Sequence, residues 1–122
     1  MPVTAIDHIQ LAMPVGGEDA ARRFFGTILG MPELPKPAAL QARGGLWFQC
    51  GVLQLHLGVD KEFQPALNAH PGLIVDKLAP MLAELKAGGF PVQEDAPIPG
   101  FIRIYTADPF GNLIELREIV PR

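Results

Sequence analysis

The 122-residue sequence is poor in cysteine, in clustered basic residues and in long apolar runs. Its only cysteine, Cys50, excludes an internal disulfide and a cysteine-rich zinc site. Nucleic-acid binding is not expected, because phosphate backbones are held by clustered cations and only Arg22 and Arg23 are adjacent in a chain of net charge −3. No stretch approaches the roughly 20 apolar residues of a membrane span, and the first residues lack the pattern of a signal peptide. We therefore expect a cytoplasmic protein that does not bind membranes.

Glycine and proline, in contrast, are abundant, with 13 of each in the chain. Together they form about a fifth of the sequence, against about 12% in an average protein. The hydrophobic share of 48% and the length are sufficient for one core. The sequence therefore predicts a single domain that is cut into short elements by tight turns.

Hydrophobic periodicity predicts the order of these elements. Alternation of apolar and polar residues predicts a strand over residues 5–13, and an apolar stripe at helical spacing predicts a helix from Glu18 to Gly30. A second helix is expected after Asp76 as N-cap. The connector over residues 60–69 is expected to contain one or two helical turns. The remaining strands are predicted over residues 46–50, 52–57, 73–75, 101–107 and 112–119.

The element order repeats once along the chain, which indicates a duplication. Gly30-Met31-Pro32 matches Gly89-Phe90-Pro91 at an offset of 59 residues, and the segment from Gly51 resembles that from Gly111. His8 and His70 are each expected to open the first strand of a repeat, at an offset of 62 residues. The predicted modules cover about residues 1–58 and about 70–120, and residues 59–69 connect them.

Strand parity places polar side chains on the sheet face that lies away from the helices. The leucines of segment 53–57 need the core, so Gln54 and His56 point to the opposite face. The same reasoning places His8 on this face in the first strand and Glu115 in the last, with His70 at the start of the second module.

Two imidazoles and a carboxylate on one face suit a divalent first-row metal such as Zn²⁺, Mn²⁺, Fe²⁺, Co²⁺ or Ni²⁺. Such a ligand set leaves coordination positions open for substrate or water. Taken singly, a histidine at a strand end is more often a hydrogen-bonded structural group, and a glutamate such as Glu115 is most often a surface or salt-bridged carboxylate. The equivalent positions of His8 and His70 in two modules favour the metal site.

Further inward-facing candidates follow from the same parity. Arg103 either orients a carboxylate, phosphonate or enolate oxygen of a substrate or extends to the solvent rim. Tyr105 is a candidate donor to a developing oxyanion. One of Trp47 and Phe48 is expected in the core. The single cysteine is interpreted as a small buried hydrophobe, because no base for a catalytic thiol is evident.

Three segments and one further histidine of the sequence resemble the vicinal oxygen chelate superfamily, which includes glyoxalase I, fosfomycin-resistance thiol transferases, extradiol dioxygenases and bleomycin-resistance proteins. The most specific is Asp108-Pro109-Phe110-Gly111-Asn112-Leu113-Ile114-Glu115-Leu116, an acidic turn that leads into an apolar strand with a central glutamate. The others are Ile6-Asp7-His8-Ile9, the segment from Phe24 to Met31, and His70. This resemblance covers nearly the whole chain. It implies an α+β fold of two βαβββ modules whose mixed sheets curl around a cleft, assembled as a homodimer.

The resemblance also implies the metal ligands, which match His8, His70 and Glu115 here. Glyoxalase I adds a fourth ligand, typically Glu, at a position that is Gln54 in this chain, with His56 two residues further on. Either side chain could be the fourth ligand. A neutral amide cannot act as the proton-transfer base, so isomerase activity would require His56 in that role.

Three functions remain open on the sequence alone. The first is a glyoxalase-like metal-dependent lyase, isomerase or transferase, with Glu115, Tyr105, Arg103 and His56 as catalytic candidates. The second is an Fe²⁺ extradiol-type dioxygenase that uses the same ligands. The third is a metal-free protein that sequesters an antibiotic or another small molecule, which the aromatic content of 7% does not favour. The proline-rich loops over residues 32–45 and 93–100 carry no diagnostic chemistry, so the substrate is not predicted.

Overall fold

The computed structural model describes residues 1–121, which divide into two units: the first ends at Gln64 and the second begins at Pro65. Each unit contains one four-stranded mixed sheet. No helix in the described part of the chain is long and apolar enough to cross a membrane.

The first unit consists of four strands and two helical segments. Their bounds are β1 His8–Met13, α1 Glu18–Ala21 with a π-helical continuation over Arg22–Ile28, β2 Glu33–Leu34, α2 Ala38–Gln41, β3 Leu46–Cys50 and β4 Leu53–Val59. The strand order in the sheet is β1-β4-β3-β2. β1 is parallel to β4, whereas the other neighbours are antiparallel.

The second unit repeats this arrangement with a single helix. Its bounds are β5 Gly72–Ile74, α3 Leu78–Ala87, β6 Gln93–Glu94, β7 Phe101–Ala107 and β8 Leu113–Ile119. The strand order is β5-β8-β7-β6, again with one parallel pair, β5 and β8. Two sheets with the same order confirm the predicted α+β class and its repeated module.

The core of the first unit is aromatic. Phe24 and Phe25 of the first helix and Phe48 of β3 are fully buried. The two helix rings meet edge to face at 4.9 Å, and Phe25 lies 5.9 Å from Phe48. The apolar stripe predicted for this helix is therefore the buried one, and of the pair Trp47 and Phe48 it is Phe48 that lies in the core.

The first helix departs from the predicted spacing of 3.6 residues per turn. Its second part has π-helical bonds, and the Leu29 N–H donates to the Phe24 carbonyl at 2.9 Å, five residues back. The helix ends at Ile28 with Leu29 as its C-cap, and the next residue, Gly30, has a φ of 75°, the left-handed conformation that glycine adopts readily after a helix.

The core of the second unit is aliphatic. Leu78 and Leu85 of α3 pack in an interior that also contains Ile104, Ile114 and Leu116 from the sheet. The predicted N-cap of this helix, Asp76, is wrong. Lys77 occupies that position without a side-chain cap, and the Leu78 N–H donates instead to Glu118 Oε1 of β8 at 2.7 Å. A carboxylate from the neighbouring strand thus satisfies the helix end.

Three further details differ from the sequence-based expectations. Within the described residues the connector over 60–69 contains no helical turn. His70 does not open a strand, because Pro71 has no N–H for a ladder bond and β5 begins at Gly72. The proline-rich loops contain the short strands β2 and β6 and, in the first unit, the helical turn α2.

Candidate functional site

The carboxylate of Glu115 is the centre of a polar cluster in the second unit. Glu115 lies on β8 with an exposed fraction of 3%, although its neighbours Ile114 and Leu116 occupy the apolar face. Arg117 Nε donates to Glu115 Oε2 at 2.7 Å, and Arg103 Nη1 donates to the same oxygen at 3.1 Å. Burial disfavours the charge, but the hydrogen bonds from Arg117, Arg103 and His70 outweigh it and lower the pKa of Glu115. The carboxylate is therefore ionised at neutral pH.

His70 faces the other oxygen of this carboxylate. Its Nδ1 lies 2.8 Å from the carbonyl oxygen of Asn68, so Nδ1 must carry a proton. Its Nε2 lies 3.2 Å from Glu115 Oε1, the oxygen that neither arginine contacts. The His70 side chain has an exposed fraction of 26% and meets the Tyr105 ring edge to face at 5.3 Å. The predicted partners His70, Glu115 and Tyr105 therefore lie together in this unit.

Arg103 is held on several sides by protein groups. Besides Glu115, it donates to the Tyr105 hydroxyl oxygen and to the Ala96 carbonyl, both at 3.1 Å, and it pairs with Asp95 at 3.3 Å. The side chain has an exposed fraction of 10%, so the alternative of a head group at the solvent rim is wrong. Because its N–H groups already have partners, Arg103 is placed to fix the cluster.

Three stacked rings form the corresponding feature of the first unit, which we call the ring column: Trp47, His56 and His8. Trp47 and His56 face each other across β3 and β4, with ring centroids 4.2 Å apart and an angle of 4° between planes. His56 stacks on His8 of β1 at 4.3 Å and 16°. The column thus crosses three adjacent strands on the sheet face that parity predicted.

Hydrogen bonds determine which ring nitrogens of the column are free. His8 Nδ1 lies 2.9 Å from Asp7 Oδ2 and donates to it, which leaves Nε2 with its lone pair. His56 Nε2 donates to Gln54 Oε1 at 2.9 Å, so its free lone pair is on Nδ1. Burial and the neighbouring His8 lower the pKa of His56, which is therefore a neutral base. The Gln54 oxygen is occupied by this bond.

Each unit has a cavity beside these side chains. The cavity of the first unit has a volume of about 520 Å³ and is lined by the ring column, Gln54, Lys36 and Arg43. That of the second unit has a volume of about 320 Å³ and is lined by His70, Tyr105 and Asp95. Within residues 1–121, no three histidine, cysteine, aspartate or glutamate side chains come together as a metal-binding group.

Sequence reasoning missed the residues that support these clusters. Lys36 and Arg43 come from a proline-rich loop without a motif, and Asp95 and the Asn68 carbonyl from irregular segments. Only Asp7 had a detectable signal, because an acidic residue beside a metal-ligating histidine is a common orienting partner. Cys50 is half-buried rather than fully buried as expected, and this burial raises the pKa of its thiol, which does not favour a reactive thiolate.

Solved structures identify the relatives of this chain. A protein from Bacillus anthracis that is assigned to the glyoxalase family is 46% identical, covers 98% of each chain and has a TM-score of 0.90. A glyoxalase/dioxygenase from Nostoc punctiforme is 22% identical over 92% of this chain and 90% of its own, with a TM-score of 0.71. The fosfomycin resistance protein FosX from Listeria monocytogenes is 18% identical over 98% and 96%, with a TM-score of 0.75.

The similarity to the Nostoc punctiforme and Listeria monocytogenes proteins shows the fold, whereas the higher identity to the Bacillus anthracis protein shows the family. No family model and no curated protein matches the sequence. The similarity to the Bacillus anthracis protein nevertheless extends over nearly the full length of both chains. The chain therefore belongs to the glyoxalase family of the vicinal oxygen chelate superfamily.

Proposed function

We propose that this protein is a glyoxalase-like metal-dependent lyase, isomerase or transferase whose small substrate chelates a divalent metal through neighbouring oxygens. The observation that carries the proposal is the pair formed by His70 Nε2 and Glu115 Oε1, 3.2 Å apart. Because the His70 Nδ1 proton is committed to the Asn68 carbonyl, Nε2 is the ring atom that faces the carboxylate oxygen, either with a second ring proton or with its lone pair. Two acceptors at this distance require a cation between them, either a second ring proton or a metal ion.

The chemistry of this donor set fits a divalent first-row metal. Imidazole nitrogen and carboxylate oxygen are both ligands that such metals accept. A histidine ligand commonly donates its other ring N–H to a carbonyl or a carboxylate, as His70 does to Asn68 and His8 does to Asp7. Both arginines lie on Oε2, so Oε1 keeps its lone pairs for a ligand. In this proposal His8, the ligand implied by the family resemblance, completes the set.

A bound divalent metal would supply Lewis-acid stabilisation of negative charge on the chelating oxygens. The chain's own residues have separate tasks. Arg103 holds Glu115 and Tyr105 in place, and because it donates to the Tyr105 oxygen, the Tyr105 hydroxyl proton remains for a substrate oxygen. His56 accepts a proton at Nδ1, since its Nε2–H is held by Gln54. Gln54 thus orients the base rather than binding the metal.

Elemental analysis of the purified protein tests this proposal. After anaerobic dialysis against equimolar Zn²⁺, Ni²⁺, Co²⁺, Mn²⁺ and Fe²⁺ and removal of the excess, we expect about one metal ion per site in the unsubstituted protein. The variants His8→Ala, His70→Ala and Glu115→Gln should each lower metal affinity at least tenfold. Glu84→Gln, an exposed change on α3, is the matched control and should bind as the unsubstituted protein does.

Circular dichroism of each variant separates metal loss from unfolding. Full metal content in both His8→Ala and Glu115→Gln would refute the ligand assignment. An unsubstituted protein that takes up no metal from the mixture would refute the metal-dependent enzyme and leave the metal-free binding protein as the better explanation.

We further propose that the protein is a homodimer, as the resemblance to the superfamily implies. Sedimentation equilibrium measures this directly, because the chain has a mass of 13.2 kDa and a dimer would have twice that mass. A single species at the mass of one chain across the micromolar range would contradict the dimer.

A further inference from the structure

The cavity of the first unit is lined by two cations whose role the proposed metal chemistry does not explain. Lys36 and Arg43 both lie between β2 and β3, at the two ends of the segment that contains α2. The ring column also lines this cavity. The cavity volume of about 520 Å³ is in the range that small-molecule sites occupy.

The segment that carries both cations is anchored to the rest of the unit. The Lys36 ammonium donates to the Gly44 carbonyl, which closes the segment on itself. The Gly45 N–H donates to Glu18 Oε2 of the first helix at 2.9 Å. Gly45 also approaches β4 so closely that a Cβ atom would lie 2.1 Å from the Leu57 carbonyl oxygen, and its φ is 83°. The two cations are therefore presented by a fixed segment.

The charge on the cavity lining is positive overall. Lys36 uses one of its three N–H groups on Gly44, which leaves two for a ligand. Arg43 has no ion-pair partner among residues 1–121. Asp7 is the acidic residue of the lining, and its carboxylate is bound to His8 Nδ1 at 2.9 Å. Two cations thus face a cavity in which a single carboxylate already has a partner.

The remaining lining is polarisable, although both faces of the His56 ring are covered by Trp47 and His8. Trp47, His56 and His8 contribute the ring column, and Leu40 of α2 adds an aliphatic contact. Aromatic surface of this kind favours an unsaturated or aromatic partner, and guanidinium and ammonium groups favour carboxylate oxygens.

We propose that this cavity binds a small organic carboxylate, with its charged oxygens on Lys36 and Arg43 and its unsaturated body on the ring column. Binding of this anion needs only residues of the first unit. The further step, that the bound carboxylate is the substrate of the metal-dependent reaction, rests on the proposed function.

Trp47 is the only tryptophan of the chain, so its fluorescence reports on this cavity directly. The experiment titrates chelator-treated, metal-free protein with benzoate at constant ionic strength, with excitation at a wavelength that benzoate does not absorb. Benzamide, which has the same shape without the charge, is the matched neutral probe. We expect a saturable change in Trp47 emission with benzoate and at least tenfold weaker binding of benzamide.

Two variants remove the cations without touching the ring column. Lys36→Met and Arg43→Met should each weaken benzoate binding about fivefold and leave benzamide binding unchanged. Arg23→Met, an exposed cation on the first helix outside the cavity, should bind benzoate as the unsubstituted protein does. Equal affinity for benzoate and benzamide, or unchanged benzoate affinity in both cavity variants, would overturn the proposal.

The result of the benzoate titration can be distinguished from the result of the metal analysis. If the protein binds benzoate without metal but takes up no metal, the carboxylate site stands and the enzyme proposal fails. If benzoate binds only after metal is added, the carboxylate is on the metal, and the assignment to Lys36 and Arg43 is wrong.

Discussion

The turn between β7 and β8 is expected to be a major source of stability, and Asn112→Ala tests this. Asn112 has an exposed fraction of 1%, and its Nδ2 donates to Asp108 Oδ2 at 2.8 Å. Its Oδ1 accepts the Ala66 N–H at 3.0 Å, which ties the connector to the sheet. A hydrogen bond to a charged group contributes about 1.5–3 kcal/mol and a neutral one about 0.5–1.5 kcal/mol. The substitution should therefore cost about 3 kcal/mol.

Chemical denaturation and thermal unfolding measure this loss. With about 2.1 cal/mol/K of unfolding entropy per residue over 122 residues, a loss of about 3 kcal/mol lowers Tm by about 12 °C. Hydrogen exchange of the Ala66 amide should become faster by more than the global destabilisation explains. Asn68→Ala, an exposed asparagine of the same connector, should change stability by less than about 0.5 kcal/mol. A loss below about 1 kcal/mol for Asn112→Ala would refute the reasoning.

Two further changes test the core and the anchored loop of the first unit. Phe48→Ala removes a fully buried ring and should cost about 3–5 kcal/mol in chemical denaturation, whereas Val52→Ala, at a residue that is 97% exposed, should stay within about 0.5 kcal/mol. The backbone hydrogen bond from Gly45 lowers the pKa of Glu18 from its ordinary value of 4.5. The stabilisation that this hydrogen bond gives the folded protein is therefore complete above pH 4.5. It is lost as the pH falls through the lower pKa that Glu18 has in the folded state. The urea midpoint of the Glu18→Gln variant should therefore fall less between pH 7 and pH 3 than that of the unsubstituted protein. The same fall in both proteins would contradict the role of the bond.

The elements that the sequence predicted well are those with several aromatic or branched apolar residues close together. The predicted bounds of β3 and β7 agree with the structure, since both segments have this composition and are followed by turn residues. The strands β2 and β6 have two residues each, which is too short for any period. The π-helical turns of the first helix differ from an α-helix in their hydrogen bonds and not in the apolar pattern that predicted it.

The candidate site could be predicted only where side chains alternate between the two faces of a regular strand. Parity placed His8, Gln54 and His56 on one face, where the structure has the ring column and its hydrogen bond. It could not place Lys36 and Arg43, because a loop with proline and glycine turns has no period that fixes its side chains. Their position depends on bonds such as Gly45 to Glu18, which join segments far apart in the sequence.

The two sheets share one strand order but carry different polar side-chain clusters. The Gln54 N–H bonds the Asp7 carbonyl and the Glu115 N–H bonds the Pro71 carbonyl, so Gln54 and Glu115 occupy equivalent positions. Two residues further along the same strands are His56 and Arg117, which pair across the sheet with Trp47 and Arg103, respectively.

The identity of the central residue accounts for this difference. A buried carboxylate remains ionised only if cations compensate its lost hydration. Glu115 therefore requires the two arginines that donate to it, Arg117 on the same strand and Arg103 on the neighbouring strand. Gln54 is neutral and needs one hydrogen-bond partner, which His56 provides. No cation is then needed at the position opposite His56 on β3. Trp47 occupies this position and stacks on the His56 ring. The exchange of one carboxylate for an amide therefore separates a module in which two arginines hold a buried carboxylate from a module in which aromatic rings stack.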